Sequence, residues 1–460
     1  MKSERISPFW VNGYQPFSAA CRFSHLNVPT IDVIKGMGSE KKINEDNYLE
    51  CLSFTKAKQR YGDSLPREVS DRLKYELQII KHRGASGYFL FLQDVVNTAQ
   101  SELGIWIGPG RGTAAGCLVC YCLGITQIDP LKYNLLFERF LNPDGNMFPD
   151  IDIDTENEGR ERIISWLQQK YGKECCAHIA TRESLHQCGL VVADEPISNL
   201  APISTVDIED SHGRRITYNC VQNEDIESYG LIKYDFLGFE TITQMKEICR
   251  LVKMKEGKDL NLEKIPQDDI NTMDIFQRGH TDDIFLFSSN DMKRYLQDFK
   301  PTCFEDLIIL NCLYRPGIMD DIATVIKQKK SQKPIEYITP CMESVLQNTY
   351  GIIVYQEQIM ELSRLIADFS RSESSLLRMA IGMLKKEMLP DLRNRFIRVG
   401  LKNAYPKETL NKIWSEIETK GRYVFNKSHS VCYTWLAYQM AYLKTYYPKE
   451  FAQVMEKYHQ

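Results

Sequence analysis

With 460 residues, 43% hydrophobic and 26% charged, the chain has the make-up of an ordinary globular protein and the length for two or three domains. It has no apolar run of membrane-spanning length, and its start, MKSERISPFW, lacks an apolar h-region. The expectation is a cytoplasmic protein with no membrane partner, whose 14 cysteines are reduced thiols. The net charge of −4 is unevenly spread, since residues 371–460 hold 16 Lys and Arg against 8 Asp and Glu. A basic region beside an acidic body suits a metal-dependent enzyme acting on a polyanion, although a solvated set of helices accounts for the charge alone equally well.

Residues 1–45 show little periodicity and no motif, and are read as an irregular lead-in. Helical spacing follows over 44–61 and 66–82. In the second stretch Val69, Leu73, Leu77 and Ile80 share one face, and Pro66 suits a first helical turn. The run YFLFLQDVV at 88–96 is a buried strand or the start of a helix, and periodicity does not decide between them. Residues 104–107 read as a short strand ending at GPGRGTAAG, a glycine-rich turn that opens an apolar helix. Cys117 and Cys120 lie inside that helix with no second pair at zinc spacing, so they read as small core residues. After Asp154, NEGRERIISWLQQKYG reads as an amphipathic helix with Ile163, Ile164 and Leu167 inward and Gly172 as its stop. β-like runs follow at 177–180 and 189–193, then a polar, turn-rich stretch at 196–225 and an apolar strand at 231–239. From Thr241 onward the pattern is mostly helical, with turns near Gly279, Pro316 and Gly317. The basic run KQKKSQK at 327–333 is expected to be exposed. These signals predict an α/β body to about residue 245, followed by a helical domain.

Three aspartates stand at alternate positions: Asp150, Asp152 and Asp154. In an extended strand they share one face, about 7 Å apart, with Ile151 and Ile153 on the other. Three like charges so placed repel one another, and a divalent cation makes the cluster favourable because hard oxygen donors suit Mg²⁺ or Mn²⁺. A solvated edge strand is the plain alternative, but the intervening isoleucines need a buried face. The strand at 231–239 carries Lys233 and Asp235 on one face. They read either as part of a structural ion pair across neighbouring strands, or as a third metal carboxylate beside a phosphate-directed lysine. A glycine turn opening a helix can hold a phosphate on its backbone N–H groups. Phosphate cradle and metal carboxylates together point to phosphoryl or nucleotidyl transfer.

The strings GPGRGTAAG, ITQIDPLKYNLLFERFLNP, PDIDID, HQCG, GLIKYDFLG, FKPTCFEDL, YRPG, TYGIIVYQEQIM and FNKSHS occur in one order along the chain. In that order they resemble the bacterial C-family replicative DNA polymerases, the family of the DNA polymerase III alpha subunit, from about Tyr48 to Phe451. The resemblance implies a multidomain α/β (α+β) fold. A DNA polymerase beta-like nucleotidyltransferase palm would occupy 46–245, and mostly α-helical fingers 246–460. It implies a DNA-directed DNA polymerase that transfers a deoxynucleotide to a primer 3′-hydroxyl and releases pyrophosphate. By motif position, Asp150, Asp152 and Asp235 would be the catalytic, metal-binding residues, holding two Mg²⁺ or Mn²⁺ ions, with Asp154 accessory. Gly112 and Thr113 match the family's Gly-Ser that contacts the triphosphate, and Arg111 lies beside them. Lys233, Arg378, Lys427 and His429 would complete the nucleotide site. The implied partners are primed DNA template, dNTPs and other replication proteins.

The departures from the family are specific. Its phosphoesterase-type domain and C-terminal regions have no counterpart, and only TRESL stands where an insertion including the thumb is expected, between Ala180 and His186. The fingers string LRRAMGKK is LRMAIGMLKK here, placing Met379 and Met383 at an arginine and a lysine position. These changes leave two readings: a compact, weak or distributive polymerase core, or a catalytically impaired polymerase-like protein that binds DNA or a partner.

Overall fold

The computed structural model describes residues 45–459 apart from 146–147, 182–183, 210–214, 332, 384 and 386. The lead-in at 1–44 lies outside the described residues. Three helices come first: α1 (Glu45–Tyr61), α2 (Arg67–His82) and α3 (Ser86–Ser101). α2 buries the expected stripe of Val69, Leu73, Leu77 and Ile80. α3 takes up the undecided run at 88–96 and buries Tyr88, Phe89, Leu90, Phe91 and Leu92 in succession. The first seven residues of α3 are buried on every side, and such a stretch shows no apolar stripe, which is why periodicity left the run open.

Two local expectations are corrected. Residues 104–107 form no strand; Ile107 makes an isolated antiparallel bridge to Thr155. The glycine turn enters a 3₁₀ turn, Ala114–Gly116, before the short helix α4 (Leu118–Leu123), which Gly124 closes at φ 80°.

Among the described residues six strands form one mixed sheet in the order β1-β6-β3-β2-β5-β4. They are β1 (Asp152–Thr155), β2 (Cys176–Thr181), β3 (Ser184–Val192), β4 (Ser204–Glu209), β5 (Arg215–Gln222) and β6 (Lys233–Gly238). The polar stretch 196–225, expected as turns, therefore holds two strands. They form the far edge of the sheet, where even the cross-strand pair Ile208 and Ile216 is exposed. A strand pair with little buried face carries no clean apolar alternation to read. β2 meets β3 in a hairpin closed by Thr181 and Ser184, whose hydroxyls lie 3.1 Å apart. That hairpin occupies the position where the resemblance calls for an inserted thumb.

β1 pairs in parallel with β6, placing Asp152 opposite Asp235. Ile151, Ile153, Tyr234 and Phe236 share one apolar core with α3 and with Ile163, Ile164 and Leu167 of the helix Gly159–Tyr171. Beyond Gly238 the described elements are helices, with one bridge between Tyr355 and Phe425. Their core includes the helix Lys427–Tyr446 and reaches back to Ala115, next to the glycine turn.

Cys117 and Cys120 are fully buried, and the Cys117 thiol donates to Glu76 Oε2 at 3.2 Å, in keeping with a core role. Among the described residues the cysteines are free thiols. The basic run at 327–333 is only partly exposed. Lys329 turns inward to the buried Asp306 and lies 4.4 Å from the Phe299 ring centroid. Among the described residues no helix is long and apolar enough to cross a membrane.

Candidate active site

The carboxylates of Asp150, Asp152 and Asp235 converge, each offering an oxygen within 4.8 Å of the others. Parallel pairing of β1 with β6 sets two of them face to face, and Asp150 follows by strand phasing just before β1. α3 braces the segment from below. The fully buried Tyr88 hydroxyl accepts the Ile151 N–H at 2.9 Å, and its ring stacks on Tyr234 of β6 with centroids 5.6 Å apart. The cluster grades inward, from exposed Asp150 through half-buried Asp152 to buried Asp235. Burial, followed by the charges of Asp150 and Asp235, pushes the Asp152 carboxyl up to about 6.

Lys233 lies within β6 on the same face as Asp235, its Nζ 2.6 Å from Asp235 Oδ2. The ion pair therefore runs along one strand, not across two. Asp235 Oδ1 is buried with no hydrogen-bond partner. A buried carboxylate oxygen without a donor, facing two further carboxylates, fits a hard divalent cation.

The glycine turn is tied to β1 by the Gly108 N–H, which donates to Asp154 O at 2.8 Å. Gly110 has φ 127°, which favours glycine by conformation, and a Cβ there would stand a tight 3.1 Å from Thr126 Cγ2. Arg111 reaches from the turn to the carboxylates. Its Nη1 donates to Asp154 Oδ1 at 3.2 Å and to the Tyr433 hydroxyl at 2.7 Å, and its Nε lies 3.6 Å from Asp152 Oδ2. Asp154 is buried and answers to Arg111 and Tyr433, outside the three-carboxylate cluster.

The helix Lys427–Tyr446 brings its first turn against the glycine turn. The Gly112 N–H donates to His429 Nδ1 at 3.1 Å, and the Ser428 hydroxyl donates to Gly112 O at 3.0 Å. Burial, with Arg111 and Arg315 nearby, lowers the His429 pKa to about 4, so the ring is neutral and able to accept at Nδ1. Thr113 precedes the 3₁₀ turn without a side-chain cap. Lys427 Nζ donates to Tyr133 O at 2.6 Å, and its backbone N–H donates to Glu357. Arg378 stands near the same Glu357 and near Arg139, and burial lowers its pKa to about 10. Its Nε is buried with no partner. The structure thus brings Arg111 and Lys233 to the carboxylates and His429 to Gly112 of the adjoining turn, while Lys427 and Arg378 both lie near Glu357.

Tyr433, Tyr88, Arg139 and Glu357 are absent from the sequence-derived set. Tyr433 was within reach, because it stands four residues after His429 on the same helix and so on the same face. The others are recognised only through contacts distant in sequence.

Residues 47–185 match the bacterial DNA polymerase III alpha NTPase domain, and residues 241–404 match the bacterial DNA polymerase III alpha subunit finger domain. The chain belongs to the bacterial DNA polymerase III alpha family. Among curated members it is 33% identical to the DNA polymerase III subunit alpha of Aquifex aeolicus, over 88% of this chain and 43% of that protein. It is 34% identical to the subunit of Bacillus subtilis, over 88% and 42%, and to that of Thermus aquaticus, over 83% and 38%. The chain thus spans about two-fifths of the length of these relatives. The Aquifex alignment runs over 509 positions, more than the 460 residues of the whole chain, so that relative carries residues with no counterpart here. The NTPase match holds Arg111, Asp150 and Asp152, while Asp235 lies between the two family matches.

Proposed function

We propose that this chain is a DNA-directed DNA polymerase core that transfers a deoxynucleotide from a dNTP to a primer 3′-hydroxyl with release of pyrophosphate. The observation that carries this reading is the convergence of Asp150, Asp152 and Asp235, with Asp235 Oδ1 buried and lacking a donor. These three residues would hold two divalent cations, Mg²⁺ or Mn²⁺. Bound there, the ions would acidify the 3′-hydroxyl and offset the negative charge of the triphosphate and the leaving pyrophosphate. Arg111 and Lys233, already beside the carboxylates, supply fixed positive charge for a triphosphate. The glycine turn permits close approach of a phosphate because no side chain stands over Gly112. The Gly112 N–H is engaged by His429 Nδ1, so a phosphate oxygen there must displace that bond. Lys427, Arg378 and Thr113 would complete the nucleotide site. We assign the palm to 46–245 and the fingers to 246–460, with primed DNA, dNTPs and other cytoplasmic replication proteins as partners.

A second reading, a polymerase-like protein with impaired catalysis, is favoured by two observations. β2 and β3 meet at Thr181 and Ser184, at the place in the sequence where the family inserts its thumb, and Met383, at a fingers lysine position, is 65% exposed. Primer extension with Mg²⁺, run beside Asp150→Ala/Asp152→Ala, separates the two. Extension by the wild type and none by the double variant supports the polymerase; equal absence in both supports the second reading.

A further inference from the structure

Tyr433 holds a place in this site that neither the motifs nor the proposed roles use. Its ring is 8% exposed and is clamped on three sides. It stacks on Phe239 with centroids 5.6 Å apart at 20°, meets Phe285 at 5.5 Å and lies 4.2 Å from the His429 ring. So fixed, the hydroxyl has two partners. It accepts from Arg111 Nη1 at 2.7 Å and donates to Asp154 Oδ2 at 3.2 Å.

Asp154 is 1% exposed, and a carboxylate so buried needs a donor on each oxygen. Arg111 serves Oδ1 through Nη1, and Tyr433 serves Oδ2. Among the described residues no hydrogen bond engages Arg111 Nη2, and the Arg111 side chain as a whole is 32% exposed. The division of labour therefore holds the guanidinium to Asp154 through Nη1 alone, with Nε 3.6 Å from Asp152 Oδ2, and leaves Nη2 without a hydrogen-bond partner among the described residues. Without the hydroxyl, Asp154 Oδ2 would lack a donor, and the nearest replacement is Arg111 itself. A fork-on-fork pair with Asp154 would then draw the guanidinium inward, because bidentate Arg–carboxylate pairing is the strong geometry.

We propose that Tyr433 is a positioning residue: its hydroxyl satisfies Asp154 so that Arg111 keeps a donor edge turned to the triphosphate of an incoming nucleotide. The inference rests on the polymerase reading above and adds to it a specific long-range partner from the helical half of the chain.

The test measures nucleotide binding without chemistry. The full chain is mixed with Mg²⁺ and a primed duplex whose primer is chain-terminated and whose template carries 2-aminopurine beside the templating thymine, and dATP is titrated by fluorescence. Tyr433→Phe keeps the ring packing and removes only the hydroxyl, and thermal melting checks that it folds. The dATP dissociation constant is expected to rise about tenfold in Tyr433→Phe, the scale of a lost charge-assisted bond. In an Arg111→Gln background the same substitution should change it less than about twofold, because no guanidinium remains to withdraw. Wild-type affinity in Tyr433→Phe overturns the proposal, as does an equal loss in both backgrounds, which would mark a merely structural tyrosine. Absence of saturable dATP binding by the wild type would remove the polymerase reading itself, and this inference with it.

Discussion

Asp152 and Asp235 stand directly opposite each other on adjacent parallel strands, and nothing in the backbone separates their charges. Asp150 adds a third. Lys233 and Arg111 offset part of that charge, and the remainder is a liability to the fold unless a metal cation fills the cluster.

The first prediction concerns that liability. The Asp152 carboxyl is pushed up to about 6, so the folded state binds its proton more tightly than the unfolded state does. Its ionisation therefore costs stability as pH rises through the window from the ordinary carboxylate range to about 6, and the cost persists at neutral pH. In metal-free buffer Asp152→Asn should be more stable than wild type by about 1–2 kcal/mol at pH 7.5, after allowance for solvent screening, and the difference should vanish toward pH 4. Added Mg²⁺ should raise the melting temperature of the wild type and not of the variant. Urea melts across pH, with and without metal, check both halves.

The second prediction concerns His429. Burial lowers its pKa to about 4, so its neutral form contributes stability that is complete above the ordinary histidine range and is lost as pH falls through about 4. Its ring protons should titrate near that value by NMR. A midpoint near the ordinary value would mean that Nδ1 is not held as an acceptor for the Gly112 N–H.

How much of this was legible beforehand depends on the range of the interaction. Asp150, Asp152 and Asp235 could be singled out because strand phasing is a property of neighbouring residues. Ile153 and Phe236 marked the buried face opposite. The run in α3 is undecided by periodicity because Ser86–Leu92 is buried all round, and β4 and β5 give little signal because they have almost no buried face. Asp154 was placed by spacing with the metal residues. Its actual partner Tyr433 is 279 positions away in sequence, and no local pattern reports such a contact. Lys329 was taken for a solvated lysine on charge alone, whereas Asp306, 23 residues earlier, draws it into the core.

The third prediction follows from that lysine. Asp306 is 1% exposed and accepts from Lys329, from the Thr302 N–H at 2.7 Å and from the Tyr350 hydroxyl at 2.7 Å. Removing the carboxylate alone leaves a largely buried ammonium, so Asp306→Ala should cost about 3–5 kcal/mol. Asp306→Leu combined with Lys329→Met should recover most of that loss. Denaturant unfolding of the two variants measures the difference, and an equal loss in both would show that the surrounding hydrogen bonds matter more than the charge pair.

The fourth concerns the hold on DNA. In the basic region 371–460, Arg371, Arg395, Lys420 and Lys457 are already engaged by Glu138, Glu373, Asp321 and Glu247. Fewer cations are then available to phosphates than the composition suggests. A primed duplex should bind weakly, with roughly three to five phosphate contacts read from the slope of log affinity against log salt, and synthesis should be distributive. Fluorescence anisotropy over a salt series, with extension followed under single-encounter conditions, measures both. Tight binding at physiological salt would show that another element grips the duplex.

The central claim, that Asp150, Asp152 and Asp235 together hold the divalent ions of a nucleotidyl transfer site, is tested most directly by anomalous diffraction. The crystals would hold the full chain with Mn²⁺, a chain-terminated primed duplex and the matching dNTP. Two manganese peaks about 3.5–4 Å apart are expected at the three carboxylates, with Asp235 Oδ1 among the ligands. Ordered DNA and nucleotide with no manganese at these carboxylates, and Lys233 still paired to Asp235, would contradict it.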